Sequence, residues 1–566
     1  MKRLVWLVAI SMVVTVVIAA CAGETVVTKE VIKEVPVEVE KVVEKEVEKI
    51  VQVEVEKVVE VEREVVKGGQ LIIGMQLEPD NLDPAVTPWA VSHSVMMNIY
   101  DTVVYENHDA TFHPGIAESW EVSDDGLSYT FNLKQGVTFH DGTPFNADAV
   151  KFNFDRISDP ETKSGFAVTL LGPYASSDIH DDHTITVNFE TPFAPFLDGA
   201  SQAFLGMVSP TAVETHGEDY GINPVGTGFM KFENWVRGDH IELVRNDDYN
   251  WAPPIWGHQG PAYLDSIIIK MIPEQGTRMA TLESGETNFI MSVPASEFAR
   301  LAGDPNYQII LGNMPGLPNV VMINTSLFPT DDIVVRQALM HALDRETVRK
   351  IVNFGIPGPT ENPLSTYTVG YNYDNEGLYP HDPDKARELL ESVGWTMGSN
   401  GFYEKDGETL KLVTGHVGSQ KDTLTVLQAQ ARNAGIDWEL SELASSTWID
   451  SAKAGKFNAA AIGWVSSDPI ILEQFYHSKN IDSGFNWPRY SDSHMDDILD
   501  RASGSTDPEE RTELYKEVQK IAMEEATVYP IHDNVGISAS ASNVVGIKAD
   551  IRGFYHWLYD AYVREE

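Results

Sequence analysis

Residues 113–157 read HPGIAESWEVSDDGLSYTFNLKQGVTFHDGTPFNADAVKFNFDRI, and this stretch decides the fold class of the chain. In its first half, apolar and polar residues alternate between an Asp-Gly and a Gln-Gly turn, as in a β-hairpin. The apolar members are Leu127, Tyr129, Phe131 and Leu133. In its second half, three apolar residues recur at helical spacing, namely Val150, Phe154 and Ile157. The stretch therefore predicts antiparallel strands followed by an amphipathic helix.

Helix start signals recur further along the chain. Asp382-Pro383 and Asp507-Pro508 each combine a good N-cap residue with a proline at the first helical position. Between them, residues 457–464 form an apolar run of strand length. Because strands alternate with helices, we expect a mixed α/β architecture. The 566 residues exceed what one core usually holds, so two or three domains are expected.

The first 21 residues resemble an export signal. Lys2 and Arg3 precede an apolar run from Leu4 to Ala20, which ends at Cys21, the only cysteine. The end of the run is similar to the lipobox of bacterial lipoproteins, with Ile18 where leucine is usual. We expect a signal peptide over 1–20 and a lipid on Cys21; an uncleaved signal anchor is the alternative. Both place the remaining chain outside the cytoplasm.

Residues 24–67 consist almost entirely of Val, Ile, Glu, Lys and a few other polar residues. Their apolar residues recur at helical spacing in some places and alternate in others, so helix and strand both remain open. Pro36 would interrupt either one near its start. We interpret residues 21–68 as a charged stalk that holds the globular part off the membrane. Self-association of the stalk through its valines is the alternative.

Charge and cysteine content exclude several functional classes. The chain has 41 Lys and Arg against 85 Asp and Glu, a net charge of −44. Such a surface repels nucleic acid, and it indicates either a solvated acidic surface or a cationic ligand. With Cys21 lipidated, no thiol remains for a disulfide, a thiolate metal site or a nucleophile.

The usual catalytic motifs are missing from the sequence. It contains no Gly-x-Ser-x-Gly, His-Glu-x-x-His, P-loop or Ser-x-x-Lys pattern. His140-Asp141 lies within a Phe-His-Asp-Gly-Thr-Pro-Phe turn, which favours a structural role. We therefore expect a binding protein with no catalytic residues, no metal site and no cofactor. A secreted hydrolase built on two carboxylates is the remote alternative.

Five blocks in order resemble the family 5 extracellular solute-binding proteins, the oligopeptide-, dipeptide- and nickel-binding components of ABC importers. The first block is residues 113–157. The others are NPVGTGFMKFENWVRGDHIELVRNDDY (223–249), FPTDDIVVRQALMHALDRETV (328–348), YPHDPDKARELLESVGW (379–395) and AAIGWVSSDPIILEQFYHS (460–478). The resemblance spans roughly Gly69 to the C-terminus.

The resemblance implies an α/β, periplasmic-binding-protein-like fold of the cluster C type, in which two lobes joined by a hinge carry an extra inserted domain. Ligand is engulfed between the lobes as they close. By this analogy the first lobe is discontinuous, the extra domain is 113–222 and the second lobe is 313–527. The parts of the first lobe are 69–112, 223–312 and 528–566.

The resemblance also implies a ligand site around the Gly-Trp block. Peptide-binding relatives read Gly-Trp-x-x-Asp-x-x-Asp-Pro, and their first Asp pairs with the ligand's α-ammonium group. This chain reads Gly463-Trp464-Val465-Ser466-Ser467-Asp468-Pro469, about two residues shorter. Either Asp468 takes over the ammonium contact or the ligand lacks a free α-amine. Trp464 would offer a stacking face, and Ser466 and Ser467 would offer hydrogen bonds.

Two further segments complete the implied site. Asn486, Trp487 and Arg489 follow the Gly-Trp block, and Arg489 would meet a carboxylate or form a surface ion pair. Glu78, Asn81 and Leu82 lie in the turn that approaches ligand from the opposite lobe. We expect a binding protein that is lipid-anchored outside the cell membrane and delivers a peptide-like solute to the transmembrane subunits of an ABC permease. An oligosaccharide or a nickel chelate is the alternative solute.

Overall fold

The computed structural model describes residues 67–564. The predicted signal peptide, Cys21 and nearly all of the predicted stalk lie outside the described residues. Gly68–Arg564 pack as one compact unit. Within the described part of the chain, no helix combines the length and the apolar character that crossing a membrane requires.

A mixed sheet of ten strands runs through the whole unit. In spatial order the strands are Asp437–Glu442, Lys411–His416, Ala459–Val465, Tyr307–Ile323, Val528–Ala541, Phe289–Ile290, Gln70–Met75, Ser266–Met271, His240–Arg245 and Met230–Val236. Gln70–Met75 pairs in parallel with Ser266–Met271, whereas Tyr307–Ile323 pairs antiparallel with Val528–Ala541. The strand predicted over 457–464 is confirmed, at Ala459–Val465.

Buried apolar side chains form two large cores, which define two lobes. The core of the first lobe contains residues from Leu71 to Met291 and from Val544 to Ala561. The core of the second lobe contains residues from Leu317 to Ile531. The long strands Tyr307–Ile323 and Val528–Ala541 run from one lobe to the other, and their register shifts between Met314 and Val320. These two strands are therefore the connection about which the lobes can hinge.

Three glycines bring the chain segment that carries Arg552 against the connecting strands. A Cβ atom added to Gly312 would lie 1.8 Å from the carbonyl oxygen of Gly553, and one added to Gly536 would lie 2.6 Å from it. No side chain fits at either position. The close approach fixes residues 550–553 where the strands leave the first lobe.

The hairpins predicted around residue 128 belong to a separate four-stranded antiparallel sheet. Its order is Ala117–Val122, Ser128–Leu133, Thr184–Phe189 and Tyr174–Asp181. Tyr129, Phe131 and Leu133 are buried, as their alternation predicts. The helix Ala147–Ser158 buries its predicted apolar stripe against this sheet, since Val150, Phe154 and Ile157 are all inaccessible. Both sequence predictions are confirmed.

Fifteen α-helices cover the sheets within residues 67–564. Those before the connecting strands are Ala90–Ile99, Ala147–Ser158, Ala167–Leu171, Phe196–Ala200, Pro210–His216, Gln275–Ser284 and Phe298–Ala302. Those after the first connecting strand are Ile333–Ala342, Arg345–Val352, Pro383–Ser392, Lys421–Asn433, Ser445–Lys453, Ile471–Tyr476, Ser493–Gly504 and Pro508–Glu524. Asp382 and Asp507 cap their helices as predicted, because each side chain accepts hydrogen bonds from first-turn amides.

The remaining strands within residues 67–564 are short. They are Val104–Glu106, Phe112–Pro114, Thr396–Met397, Tyr403–Lys405, Glu408–Thr409, Val544–Val545, Lys548–Ala549, His556–Trp557 and Tyr562–Val563. The boundaries of the extra domain at 113–222 and of the lobes at 69–112, 223–312, 313–527 and 528–566 stay predictions. Buried apolar side chains of 113–222 share the core of the first lobe.

Candidate functional site

One side chain of the second lobe reaches into the first lobe. The Ser467 hydroxyl lies 2.9 Å from Glu106 Oε2 and 2.5 Å from Asp198 Oδ1, and only 4% of Ser467 is exposed. Because a hydroxyl has one proton, Ser467 donates to one of the two carboxyl groups at a time. Ser467 follows the strand Ala459–Val465 by two residues, so the end of that strand faces the first lobe. The cleft between the lobes is closed at this point.

The partners of Ser467 belong to a buried ion cluster of the first lobe. Arg552 Nη2 lies 2.8 Å from Glu106 Oε2 and 2.5 Å from Asp198 Oδ1, and it also donates to Ser201 Oγ. Asp550 Oδ2 lies 3.7 Å from Arg552 Nη1. Every one of these charged side chains is at most 10% exposed. Three carboxyl groups therefore share one guanidinium.

Burial shifts the protonation of two of these carboxyl groups, Glu106 and Asp550. Burial raises the pKa of Glu106 well above its ordinary value, although Arg552 opposes the shift, and the nearby Asp198 adds to it. Burial likewise raises the pKa of Asp550. For Arg552, burial works to lower the pKa, but Asp198 and Glu106 outweigh it and raise the pKa. Glu106 and Asp550 thus each hold a proton more readily than an exposed carboxyl group does.

Trp464 forms an exposed wall of the second lobe. Its side chain is 37% exposed and its ring lies 5.1 Å from that of Phe485 in an edge-on arrangement. The preceding Gly463 is exposed as well. On one side, the strand Ala459–Val465 pairs with Gly316–Ile323; on the other, it pairs only through Ala459 and Ala460. Beyond Ala460, no strand within residues 67–564 covers that outer edge, although the Gln420 side chain donates to the carbonyl oxygen of Ala461.

Ser466 and Asp468 make their contacts inside the second lobe. Both carboxylate oxygens of Asp468 accept hydrogen bonds from Arg511, at 2.9 and 3.0 Å, and Oδ1 also accepts one from the amide of Ile470. The Asp468 side chain is 11% exposed. Ser466 Oγ donates to the carbonyl oxygen of Asp468. An ammonium group of a ligand would have to compete with Arg511, so the ligand role of Asp468 stays a prediction.

Asn486, Trp487 and Arg489 support the loop behind Trp464. Asn486 is buried and its amide donates to the carbonyl oxygens of Tyr476, His477 and Tyr490. Trp487 is buried against Trp448 and Phe485. Arg489 donates to Asp482 and to the carbonyl oxygen of Lys453. Their contact with a ligand also stays a prediction.

The turn predicted on the opposite lobe is likewise held by protein contacts. Glu78 accepts hydrogen bonds from the Trp235 indole and the Gly238 amide. Asn81 accepts one from the amide of Asp83. Leu82 is fully buried, and its carbonyl oxygen accepts from the Tyr100 hydroxyl. No hydrogen bond, ion pair or ring contact within residues 67–564 joins this turn to Trp464 or Ser467.

Sequence reasoning missed the first-lobe half of the site. Glu106 and Arg552 are 446 positions apart, and neither lies in a block that the sequence singled out. The only signal was the acidic excess of the chain, which does not identify positions. Among residues 67–564, no three His, Cys, Asp or Glu side chains are grouped in a way that would hold a metal ion.

Known proteins match the chain over most of its length. The family model described as "Bacterial extracellular solute-binding proteins, family 5 Middle" matches residues 111–483. The glutathione-binding protein GsiB of Salmonella typhi is 30% identical over 477 residues, which are 82% of this chain and 89% of that protein.

Solved structures match the fold. NikA from Brucella suis in complex with Fe(III)-EDTA has a TM-score of 0.78 and 26% identity, over 88% of this chain and 100% of that chain. DppA from Helicobacter pylori in complex with the peptide STSA has a TM-score of 0.71 and 26% identity, over 88% of this chain and 99% of that chain. The predicted two-lobed binding-protein fold is confirmed.

Proposed function

Because the chain belongs to family 5 of the bacterial extracellular solute-binding proteins, we propose that it captures a peptide-like solute between its lobes. We further propose that it is lipid-anchored and delivers the solute to an ABC permease. Members of this family are binding proteins of ABC importers and not enzymes, which agrees with the prediction of a non-catalytic binder.

The proposal of a peptide-like solute rests on one edge of the strand Ala459–Val465, which no other described strand covers beyond Ala460. Beyond Ala460 this strand pairs on one side only, it includes the exposed Trp464, and it leads into Ser467 at the closed part of the cleft. Gln420 occupies the carbonyl oxygen of Ala461, which leaves the edge from Ile462 to Val465 for a solute. An extended peptide can add to such an edge through its own N–H and C=O groups. Trp464 would then pack against a side chain of the solute.

The named relatives support the same class of solute. GsiB is a glutathione-binding protein, and DppA was solved with a tetrapeptide. Both solutes contain peptide bonds. A metal chelate, suggested by the likeness to NikA, fits less well if it is anionic. The cleft already holds three carboxyl groups against one arginine at Ser467. An oligosaccharide would use Trp464 but not the strand edge.

Calorimetric titration of the detergent-solubilised full chain tests the solute class. The panel contains reduced glutathione, di- to pentapeptides, cello-oligosaccharides and a nickel–EDTA chelate, which is anionic. We expect heat of binding for glutathione or a peptide and none for the oligosaccharides or the chelate. Binding of an oligosaccharide or the chelate alone would reject the peptide proposal.

Replacing Trp464 locates the binding surface. Trp464→Ala should weaken peptide binding about tenfold or more, since an aromatic contact surface is lost, with little change in stability because the side chain is partly exposed. Trp120→Ala, on the strand Ala117–Val122 of the four-stranded sheet, is the matched control and should leave affinity unchanged. Equal losses for both variants would remove Trp464 from the site.

The sequence around Cys21 supports the lipid anchor. An apolar leader ending in Ala19-Ala20-Cys21 is the signal for acylation of that cysteine. Expression with a radiolabelled fatty acid should label the wild-type chain and not Cys21→Ala. Label on the variant, or none on either protein, would reject the anchor but leave the solute proposal intact.

A further inference from the structure

A small cavity opens in the first lobe beside the ion cluster that Ser467 contacts. Half-buried side chains form its rim, namely Met97, Tyr105, Ser201, Trp256 and Trp557. Its base is buried and includes His93, Asn98, Glu106, Arg552 and His556. The rings of Trp256 and Trp557 meet edge-on at 5.0 Å. The cavity therefore combines an aromatic mouth with a polar floor, as ligand sites do.

His93 presents a hydrogen-bond donor that has no acceptor. Its Nε2 accepts a hydrogen bond from the Ala203 amide at 2.9 Å, and burial together with Arg552 lowers the pKa of His93 well below its ordinary value. The ring is therefore neutral and carries its proton on Nδ1. Within residues 67–564, Nδ1 has no hydrogen-bond partner, and His93 is only 3% exposed.

Asn98 presents the complementary acceptor. Its amide nitrogen donates to the carbonyl oxygens of Ser94 and Val95, which fixes the orientation of the side chain. The oxygen Oδ1 has no partner among the described residues, although Asn98 is 1% exposed. His556 adds an unpartnered Nδ1, and burial lowers its pKa to about 4, so it too is neutral.

Three unpartnered polar atoms around one cavity point to a ligand. Burying a polar atom without a partner destabilises a protein, and native proteins leave few such atoms. Here three of them belong to side chains that line the same small space. The centre of a water-sized sphere can occupy about 30 Å³ of it, enough for the few heavy atoms of one functional group.

The charges around the cavity exclude an ionic group. Arg552 Nη2 already donates to Glu106, Asp198 and Ser201, and three carboxyl groups surround this single positive charge, so a carboxylate finds no free counter-charge. A carboxylate would also face Asn98 Oδ1 and the carboxyl groups of Glu106 and Asp550. An ammonium group would face the Nδ1–H donor of His93. A neutral group that accepts from His93 and donates to Asn98 fits both.

We propose that this cavity is a subsite for a neutral amide group of the solute, whose C=O accepts from His93 and whose N–H donates to Asn98. The amide is either a peptide bond or a carboxamide side chain. The aromatic rim of Trp256 and Trp557 packs on the carbon atoms next to the amide. This inference rests on the proposed function only in treating the solute as peptide-like; the chemistry of the cavity stands on its own.

Replacing Asn98 separates a ligand role from a structural one. Asn98→Leu removes an acceptor that has no protein partner together with the donors to Ser94 and Val95, so the thermal midpoint should fall less than that of Asn153→Leu, whereas affinity for a bound peptide should fall about tenfold or more. The matched control is Asn153→Leu. Both ends of the Asn153 amide have partners, at Ala149 and Val208, so this variant should lose stability and keep affinity.

The affinities of three tripeptides for the full chain identify the source of the amide. The probes are Ala-Gln-Ala, Ala-Glu-Ala and Ala-Met-Ala. If Asn98→Leu lowers the affinity for every tripeptide that binds the wild type, the bound amide is a peptide bond. If it lowers the affinity for Ala-Gln-Ala alone, the bound amide is a carboxamide side chain. Both results support the proposal. Unchanged affinities, or a loss confined to Ala-Glu-Ala, would overturn it.

Crystals of the full chain soaked separately with N-methylacetamide, acetate or methylammonium test the cavity without any peptide. We expect N-methylacetamide within hydrogen-bond distance of His93 Nδ1 and Asn98 Oδ1, and no such density in Asn98→Leu. Acetate or methylammonium there instead, or only water, would overturn the inference. If the amide occupies the cavity but no peptide or glutathione binds the wild type, the proposed function fails and this inference stands. If peptides bind but the cavity contains only water, this inference fails and the proposed function stands.

Discussion

Two buried arginines of this protein have similar surroundings and different charge balance. Arg511, in the second lobe, faces a single carboxylate, Asp468, through two hydrogen bonds of 2.9 and 3.0 Å. Arg552, in the first lobe, faces the carboxyl groups of Glu106, Asp198 and Asp550. The first pair lies wholly inside one lobe, whereas the second cluster also accepts the hydroxyl of Ser467 from the other lobe.

The difference indicates which of the two groups, the Asp468–Arg511 pair or the Arg552 cluster, can respond to the solute. The Asp468–Arg511 pair is balanced in charge, and both carboxylate oxygens accept hydrogen bonds from the same lobe, so movement of the lobes leaves it unchanged. A cluster with more carboxyl groups than cations, one of which readily holds a proton, changes when a hydroxyl from the opposite lobe arrives or leaves. We infer that the Asp468–Arg511 pair stabilises the second lobe and that the Arg552 cluster senses closure.

Removing Asp468 should produce the largest effect and tests the structural half of this comparison. Asp468→Ala leaves Arg511, whose side chain is 16% exposed, as an unpaired buried charge. We expect the free energy of unfolding to fall by about 3–5 kcal/mol, measured by denaturant titration. Asp482→Ala removes the exposed partner of Arg489 and, as the control, should cost at most about 1 kcal/mol.

The same variant decides whether Asp468 contacts an ammonium group. Because Arg511 and the Ile470 amide occupy its oxygens, we expect Asp468→Ala to change the affinities for a free-amine peptide and its N-acetylated form equally. A loss of affinity for the free-amine peptide alone would assign the ammonium contact to Asp468 and contradict a purely structural role for the Asp468–Arg511 pair.

Removing Ser467 should have an intermediate effect, mainly on binding. Ser467→Ala deletes the hydroxyl that bridges to Glu106 or Asp198 and leaves a buried carboxyl group with one partner fewer. A buried hydrogen bond to such a group contributes about 1–3 kcal/mol, so affinity should fall about tenfold. Calorimetry measures the loss. Ser392→Ala, which removes a hydrogen bond to the carbonyl oxygen of Leu389 within the second lobe, should leave affinity nearly unchanged.

The smallest effect is a change in pH dependence. Since the pKa of Glu106 is raised on folding, the folded protein keeps a proton that the unfolded chain has lost. The resulting stability is complete below about pH 4 and is lost as pH rises through the folded-state pKa. Glu106→Gln does not titrate, so its stability should decline less over that range, by up to about 1.4 kcal/mol per pH unit. Identical slopes for variant and wild type in denaturant titrations would contradict a protonated Glu106.

Local patterns in the sequence predicted the elements and one wall of the site. Alternation predicted the buried faces of Tyr129 and Phe131, Asp-Pro pairs predicted two helix starts, and the turn around His140 proved structural, since its ring bonds to the backbone of Gly226 and Gly228. These features depend on neighbours along the chain. Trp464 came from a motif, and its exposed ring fits the role that the motif implied.

The first-lobe wall of the candidate site depends on contacts between segments that are far apart along the chain, and such contacts produce no recognisable spacing in the sequence. Arg552 reaches Glu106 and Asp198 because Gly553 packs on Gly312 and Gly536, and no local pattern links these positions. Motif alignment gave equal weight to Ser467 and Asp468. Only the three-dimensional partners distinguish them: Arg511 of the same lobe for one and the first-lobe carboxyl groups for the other.

A distance between the two lobes reports whether the solute drives their closure. Spin labels on cysteines introduced at the exposed Glu121 and Glu388, in a Cys21→Ala chain, report that distance by double electron–electron resonance. We expect the short distance to become dominant when the peptide or glutathione that binds in calorimetry is added. The Ser467→Ala variant should require about tenfold more of that solute for the same shift in distance. A distance that stays unchanged while calorimetry shows binding would contradict capture by closure at Ser467.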